Sequence, residues 1–399
     1  PVPKLGAAGI LLVGSRLDPL RDCGSFMVGI GVGCTGSKQP CLKRRLGEVG
    51  MWYEPLLENG LFPDSIIRLG IRHQLRTRLR QQSDARNAAK QDAFWDDLET
   101  GPIATKTNEA NKQHYEVPTA FFRHILGPRF KYSSGYWPED FDDLESSELA
   151  MLELYMERAR LGNKQRILDL GCGWGSLSLF LAEHLPNSDI VAISNSTTQK
   201  AFIDARASEL KLTNLHVIRA NVNDFQPDNR FDRILSIEMF EHMRNYRLLL
   251  DRIRQWLKPD GLLFVHHFAH RNTAYPFIAG ASNEWMAKHF FSGGIMPSAN
   301  LLNRFAGTMN IIDRWQINGR HYQRTCEAWL ARLSENQQAV LELLATSYGR
   351  KEAHKQFNHW RVFFMACAEL FGYRRGSEWF IVHALLEAPC AAHGNNTRN

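Results

Sequence analysis

The sequence predicts an α/β fold built on a doubly wound, mostly parallel sheet, and three observations carry that prediction. Between about residues 165 and 270, five short apolar runs read as strands and alternate with helix-like segments. The first run ends in the glycine-rich turn Gly171-Cys172-Gly173-Trp174-Gly175, followed at once by an amphipathic stretch over 177–182. The chain has 399 residues, 44% hydrophobic and 23% charged, which excludes a disordered or fibrous protein and is ample for a sizeable core.

From the N-terminus, residues 1–50 hold 10 of the 29 glycines, seven basic and three acidic residues, and no sustained helical or strand period. They read as an irregular Gly-rich tail, either a transit-like leader or an extension ahead of a start at Met51. Residues 51–110 read as a basic helical extension. Pro63-Asp64-Ser65 offers a capping residue, and Ile67, Ile71, Leu75 and Leu79 then recur four apart, with Arg68, Arg72, Arg76, Arg78 and Arg80 on other faces. A solvated arginine face accounts for this pattern; a membrane-surface or substrate-lid role is the alternative. The α/β domain is expected over 111–389, with 390–399 as a second tail.

Composition bounds the partners. Lys and Arg exceed Asp and Glu by 48 to 42, and +6 gives no argument for nucleic acid. The seven cysteines, at 23, 34, 41, 172, 326, 367 and 390, form no CxxC pair, so neither zinc nor a disulfide framework is signalled. The apolar stretches 6–14 and 26–33 fall far short of the roughly 20 residues a spanning helix needs. A soluble protein in a reducing, cytoplasmic compartment is the expectation, and the sequence leaves oligomeric state open.

The central strands are expected at Arg166–Leu170, 190–193, 216–218, 233–236 and 261–265. In such a sheet, ligands sit beyond the carboxyl ends of the strands. The turn after the first strand is spaced G-x-G-x-G, and the third glycine of a dinucleotide fingerprint would fall on Ser176, which weakens a nicotinamide reading. Asp169, just ahead of Gly171, Gly173 and Gly175, would repel a pyrophosphate but suits the α-amino group of S-adenosylmethionine. That cofactor is therefore expected. The second strand ends at Ser194-Asn195 with no acidic residue, so Ser194, Asn195 and Gln199 are expected at the ribose hydroxyls, and Asn221 and Val222 at the adenine. Beyond residue 270, helical stretches at 327–348 and 351–370 exceed a minimal core and are expected to form a helical cap within about 271–389. Trp329, Trp360, Phe363, Phe364 and Trp379 are placed in its helices, more as core than as pocket.

Several motifs in one order give the chain a resemblance. The run from Ser236 through Glu238, Glu241 and His242 to Met243, the later 264–270 with His266, His267 and His270, and 290–298 resemble the coclaurine N-methyltransferase family of alkaloid enzymes, which belongs with the cyclopropane-fatty-acid synthases. The similarity runs from about Glu54 through Pro63-Asp64, 113–118 and Lys131-Tyr132-Ser133-Ser134 to Gly372-Tyr373 and about Leu386. Cyclopropane synthases resemble the chain at Tyr132-Ser133 but carry a cysteine at the position of Ser134 and a small residue at that of Glu238. Both positions match the N-methyltransferase branch. The resemblance implies a class I methyltransferase-like fold, Tyr132 and Ser133 at the cofactor, and Ser134, His266 and Tyr322 in the substrate pocket. Glu241, His266 and Tyr322 also fall where cyclopropane synthases hold a bicarbonate, so a lipid-modifying enzyme, with transient membrane contact, stays as the alternative.

An amine nucleophile is mostly protonated near neutral pH and needs a base. Glu238, Glu241 and His242 lie at i, i+3 and i+4, which in a helical turn places them on one side. His242 is expected to take the proton, Glu241 to orient the imidazole or hold the ammonium form, and Glu238 to anchor the substrate's charge. Neighbouring carboxylates would raise the pKa of His242. His266, His267 and His270 cluster, but adjacent strand residues point to opposite faces and no metal is expected. The substrate is expected to be a small, aromatic or heterocyclic amine.

Overall fold

The computed structural model describes residues 54–82, 94–96, 98–104, 117–140, 142–277, 284–291 and 293–389. The tails at 1–50 and 390–399 and motif residues 113–116 lie outside the described residues. Glu54–Glu58 forms α1 and Asp64–Gln82 forms α2, in which Ile67 is buried and Ile71, Leu75 and Leu79 pack half-buried against the core. Thr119–Ile125 is α3; Leu144–Arg158 is α4, capped by Asp143, whose carboxylate accepts the Ser146 N–H at 2.8 Å.

The α/β alternation then follows in chain order: β1 Arg166–Leu170, α5 Ser176–His184, β2 Asp189–Ser194, α6 Thr197–Glu209, β3 Leu215–Arg219, β4 Phe231–Ile237, α7 Tyr246–Trp256 and β5 Leu257–His270. Tyr275–Pro276 (β6) pairs with Ile295–Met296 (β7) in a short antiparallel ladder, with α8, Glu284–His289, between them. Asn310–Ile317 is β8. Helices α9 Arg320–Glu335, α10 Gln337–Tyr348 and α11 Arg350–Gly372 precede β9, Trp379–Glu387. The large sheet runs β3-β2-β1-β4-β5-β9-β8; its first five strands are mutually parallel, and β9 and β8 add antiparallel at one edge.

Period-two alternation along the strands sends each side chain to one of two cores. Ile167, Ala192, Leu235 and Phe264 join the core beneath the cap, whereas Leu168, Val191, Ile234 and Leu263 join the core covered by α7, with Leu249, Leu250, Ile253 and Trp256. Both faces are covered, so the parallel strands read as near-continuous apolar runs.

Residues 271–389 are not wholly a helical cap: β8 and β9 complete the sheet, and Trp379 stands on β9. The nine residues of β9 are buried except the last, and burial on both faces erases the alternation that marks a strand. The expected stretch 327–348 begins earlier, at Arg320, and breaks at Asn336, whose amide Nδ2 donates to the carbonyls of Arg332 and His124. The arginine stripe on α2 is partly occupied. Arg68 donates to both oxygens of Glu327 at 2.7 Å and to Glu369 at 3.1 Å, and Arg72 donates to Glu369 at 2.5 and 2.9 Å, which ties α2 to α9 and α11.

Among the described residues, no helix is long and apolar enough to cross a membrane.

Candidate active site

The turn after β1 is held in positive φ at Gly171 (85°), Gly173 (52°) and Gly175 (78°). A Cβ at Gly171 would meet Met239 Cγ at 2.7 Å and one at Gly175 would meet Ile203 Cγ1 at 2.6 Å, so these two glycines serve packing. At Gly173 a Cβ would point into open space, in the wall of a cavity of about 260 Å³ at the carboxyl ends of β1, β2 and β4. Asp169, Gly171, Gly173, Ser194, Asn195, Gln199, Asn221 and Val222 all line this cavity, as do Tyr132 and Ser133; Gly175 lies behind the wall.

Asp169 is 1% exposed and accepts the Ser178 hydroxyl at 2.5 Å; burial outweighs that bond and pushes the carboxyl up to about 6. The Ser194 hydroxyl is taken by Gln199 Oε1 at 2.6 Å, which leaves the Gln199 amide nitrogen buried without a partner. Trp174 Nε1 and Ser176 Oγ are likewise buried and unpartnered in the same wall. Orphaned buried donors are costly unless a ligand meets them. Together with the carboxylate and the open face of Gly173, they fit a polar, amino-bearing nucleoside such as S-adenosylmethionine.

Glu238 stands at the end of β4 with φ 48°, a sparsely populated conformation for a residue with a side chain, and its N–H donates to His266 O at 2.8 Å. Its carboxylate is a hub. Oε1 accepts from Ser134 N–H at 2.9 Å and meets His266 Nε2 at 3.0 Å, and Oε2 accepts the Tyr322 hydroxyl at 2.7 Å. Burial raises its pKa, opposed by Lys131, these donors and His242. Lys131 is itself buried, donates to Ser133 Oγ (2.5 Å), Ser134 O (2.8 Å) and Tyr155 Oη (3.0 Å), and is pushed down to about 8 by desolvation.

Three expectations are corrected. Glu238, Glu241 and His242 do not share a side, because a left-handed residue and one 3-10 turn over Phe240–His242 replace the α-helical turn that i, i+4 geometry requires. Glu238 and His242 line the cavity, while Glu241 is fully buried and turns away to accept the Phe268 N–H at 2.7 Å; burial and the charge of Glu238 raise its pKa well above the usual range. His242, stacked on Phe291 at 5.1 Å between ring centroids, is pushed down to about 4, since its desolvation outweighs the carboxylate of Glu238. Finally, Ser134 and His266 do not line the cavity. The Ser134 hydroxyl donates to Gly135 O at 3.0 Å and only its backbone N–H serves the site, and His266 lies beneath Glu238. Tyr322 does line it.

His267 and His270 face other partners, the carbonyl of Phe268 and the carboxylate of Glu378. The cavity continues under the cap, where Phe268, Phe277, Phe291, Trp329, Phe363 and Phe371 wall the space in front of Glu238. Trp329 and Phe363 thus serve pocket and core together, while Trp360, Phe364 and Trp379 are core. Sequence reasoning missed Lys131 and Tyr155, which line the cavity beside Glu238, and His383, which lies behind it. Lys131 adjoins the Tyr132-Ser133-Ser134 motif, but nothing in its spacing signals a buried ammonium.

A family model described as mycolic acid cyclopropane synthetase matches residues 103–378. The chain is similar to the (S)-coclaurine N-methyltransferase of Papaver somniferum, at 37% identity over 343 residues, or 84% of this chain and 98% of that protein. It is similar to the enzyme of the same name from Thalictrum flavum subsp. glaucum, at 38% identity over 338 residues, 83% of this chain and 94% of that protein. Among solved structures it resembles the crystal structure of coclaurine N-methyltransferase bound to N-methylheliamine and SAH, with a TM-score of 0.79 and 36% identity over 84% of this chain and 98% of that one.

Proposed function

The chain belongs to the mycolic acid cyclopropane synthetase family and is an S-adenosylmethionine-dependent methyltransferase; from that premise we propose that it N-methylates a small aromatic or heterocyclic amine of the coclaurine class. One observation carries the reading: the Glu238 carboxylate, held by Ser134, His266 and Tyr322, faces the aromatic-walled part of the cavity, which is continuous with the glycine turn. A cation enclosed by ring faces and opposed by one carboxylate is the charge pattern of a protonated amine.

Asp169, Gly171, Gly173, Ser194, Asn195, Gln199, Asn221 and Val222 would hold the cofactor, with Tyr132 and Ser133 closing over it, while Gly175 supports the turn from behind. When bound there, S-adenosylmethionine supplies an electrophilic methyl group on a sulfonium. Glu238 anchors the incoming ammonium, and Tyr322 fixes the carboxylate's orientation. His242 is neutral across the neutral pH range, so one imidazole nitrogen can accept the proton that the amine gives up. Glu241 supports this loop by tying it to β5 rather than by touching substrate. The aromatic wall excludes water from the reacting centre. The free thiols of Cys172, Cys326 and Cys367 suit a reducing, cytoplasmic setting.

The test follows methyl label from S-adenosylmethionine in parallel incubations with (S)-coclaurine and with unsaturated phospholipid vesicles. Label in the amine is the expected result. Label in lipid alone, without transfer to the amine, overturns the reading in favour of the lipid-modifying alternative.

A further inference from the structure

Behind Glu238, away from the cavity, polar side chains form a chain through an otherwise apolar layer between α4 and the sheet. Arg158 Nη1 lies 2.9 Å from His383 Nδ1, His383 Nε2 lies 3.0 Å from His266 Nδ1, and His266 Nε2 lies 3.0 Å from Glu238 Oε1. Both histidines are fully buried, and desolvation, with the nearby charges of Arg158 and Lys131, holds each well below its usual pKa. Each is therefore a neutral imidazole with one donor and one acceptor nitrogen.

The direction of the chain then follows from one fact: a guanidinium only donates. His383 Nδ1 must accept from Arg158, which places the His383 proton on Nε2. That N–H donates to His266 Nδ1, so the His266 proton sits on Nε2 and points at Glu238 Oε1. Tyr155 Oη, which receives from Lys131 at 3.0 Å, lies 2.8 Å from the same His266 Nδ1, and its hydroxyl can either donate to that nitrogen or accept from it. Arg158 is half-buried and is held over the Trp315 ring, 5.0 Å from its centroid.

We propose that Arg158 is a positioning residue for methyl transfer: through His383 it fixes the Nε2–H tautomer of His266, which keeps a hydrogen-bond donor aimed at Glu238 and leaves the opposite face of that carboxylate to the substrate. This rests on the reading of Glu238 as the ammonium anchor. Without Arg158, His383 is free to reverse, His266 can present a bare nitrogen to Glu238, and the carboxylate loses a donor that favours its charged form. The other titratable groups facing Glu238 are Lys131 and Tyr155, Glu241 and His242 of its own loop, and Tyr322 and Cys326 of α9; His267 and the Arg158 charge act on His266. Of these only Tyr155 touches His266, and its hydroxyl follows the tautomer that His383 sets.

The experiment compares Arg158→Met, which keeps the aliphatic stem, with Arg158→Lys, which keeps an obligate donor, using the full chain and (S)-coclaurine. In Arg158→Met the acid limb of kcat/KM should move to higher pH by about one unit, with a roughly tenfold loss at neutral pH, while affinity for S-adenosylhomocysteine is unchanged; Arg158→Lys should restore most of the loss. An unmoved pH profile in folded Arg158→Met, or a folded Arg158→Lys no better than Arg158→Met, overturns the proposal. Nitrogen-15 histidine spectra of the parent give a reading independent of variant folding: His266 and His383 should both be Nε2–H tautomers, and a proton on Nδ1 of either is fatal. Glu238→Gln separates the two readings. If it leaves the amine KM unchanged, the anchor assignment falls; if it is inactive while Arg158→Met behaves as the parent, only the role of Arg158 falls.

Discussion

Glu238→Gln takes one negative charge out of the cavity and changes little else. The amide oxygen can accept from Ser134 N–H and His266 Nε2 where Oε1 now does, at 2.9 and 3.0 Å, and the Tyr322 hydroxyl, now donating at 2.7 Å, can rotate to accept from the amide nitrogen. All three hydrogen bonds survive, and the stability that is lost is the attraction to buried Lys131, about 1–3 kcal/mol. The effect on substrate is larger. A carboxylate and an ammonium about 4 Å apart attract by roughly 4 kcal/mol at an effective dielectric near 20. The Glu238 side chain is 9% exposed, so solvent screens little of this, whereas Lys131, in the wall of the same cavity, offsets a part. Loss of one partner from such a pair costs about 2–5 kcal/mol, and a value near 3 kcal/mol is on the order of a hundredfold in kcat/KM. The deficit should be greatest where the amine is protonated and should shrink as rising pH neutralises it. Initial rates of labelled methyl transfer to (S)-coclaurine across that pH range, with thermal unfolding as the control for folding, give the answer. A folded Glu238→Gln whose kcat/KM at neutral pH matches the parent would refute the anchor role.

His242→Ala should lower turnover by roughly a hundredfold, as for loss of a general base, with cofactor affinity kept. Because burial holds His242 at about 4, it is protonated only below that pH, so the parent's acid limb should not be that of an imidazole; an acid limb near 6.5 that disappears in His242→Ala would contradict this. The Asp169 carboxyl is raised to about 6, so affinity for S-adenosylhomocysteine should fall as pH drops through that value and its carboxylate is lost. Titration calorimetry on Asp169→Asn should give weak binding with no such pH dependence. Gly173→Val forces a β-branched residue to φ 52° and fills open space in the cavity wall, so binding of S-adenosylhomocysteine should vanish from a chain that still folds; retained affinity would remove the turn from the cofactor site.

The sequence alone determined the parallel centre of the sheet and the glycine turn, because both rest on short-range rules. A strand covered on both faces must be apolar throughout, as Arg166–Leu170 and Asp189–Ser194 nearly are, and a turn through positive φ with Met239 and Ile203 against it must be glycine. It also brought Glu238 and His242 within a few residues of each other. Tertiary structure decided what depends on collective burial. β9 escaped recognition because burial on both faces removes its period, and β8, half-exposed at the sheet edge, is placed by its pairing with β9. Glu241 turned from the cavity because a left-handed backbone at Glu238 broke the helical spacing. The charge of His242 inverted the expectation because desolvation by residues from several elements exceeds the field of one carboxylate. The donors around Glu238 come from α4, β5, β9 and the segment that carries Lys131, with Arg158 and His383 225 residues apart, and no local pattern encodes such a meeting. Backbone preference is written in neighbours along the chain, whereas protonation state and hydrogen-bond direction are set by everything that displaces water from a site.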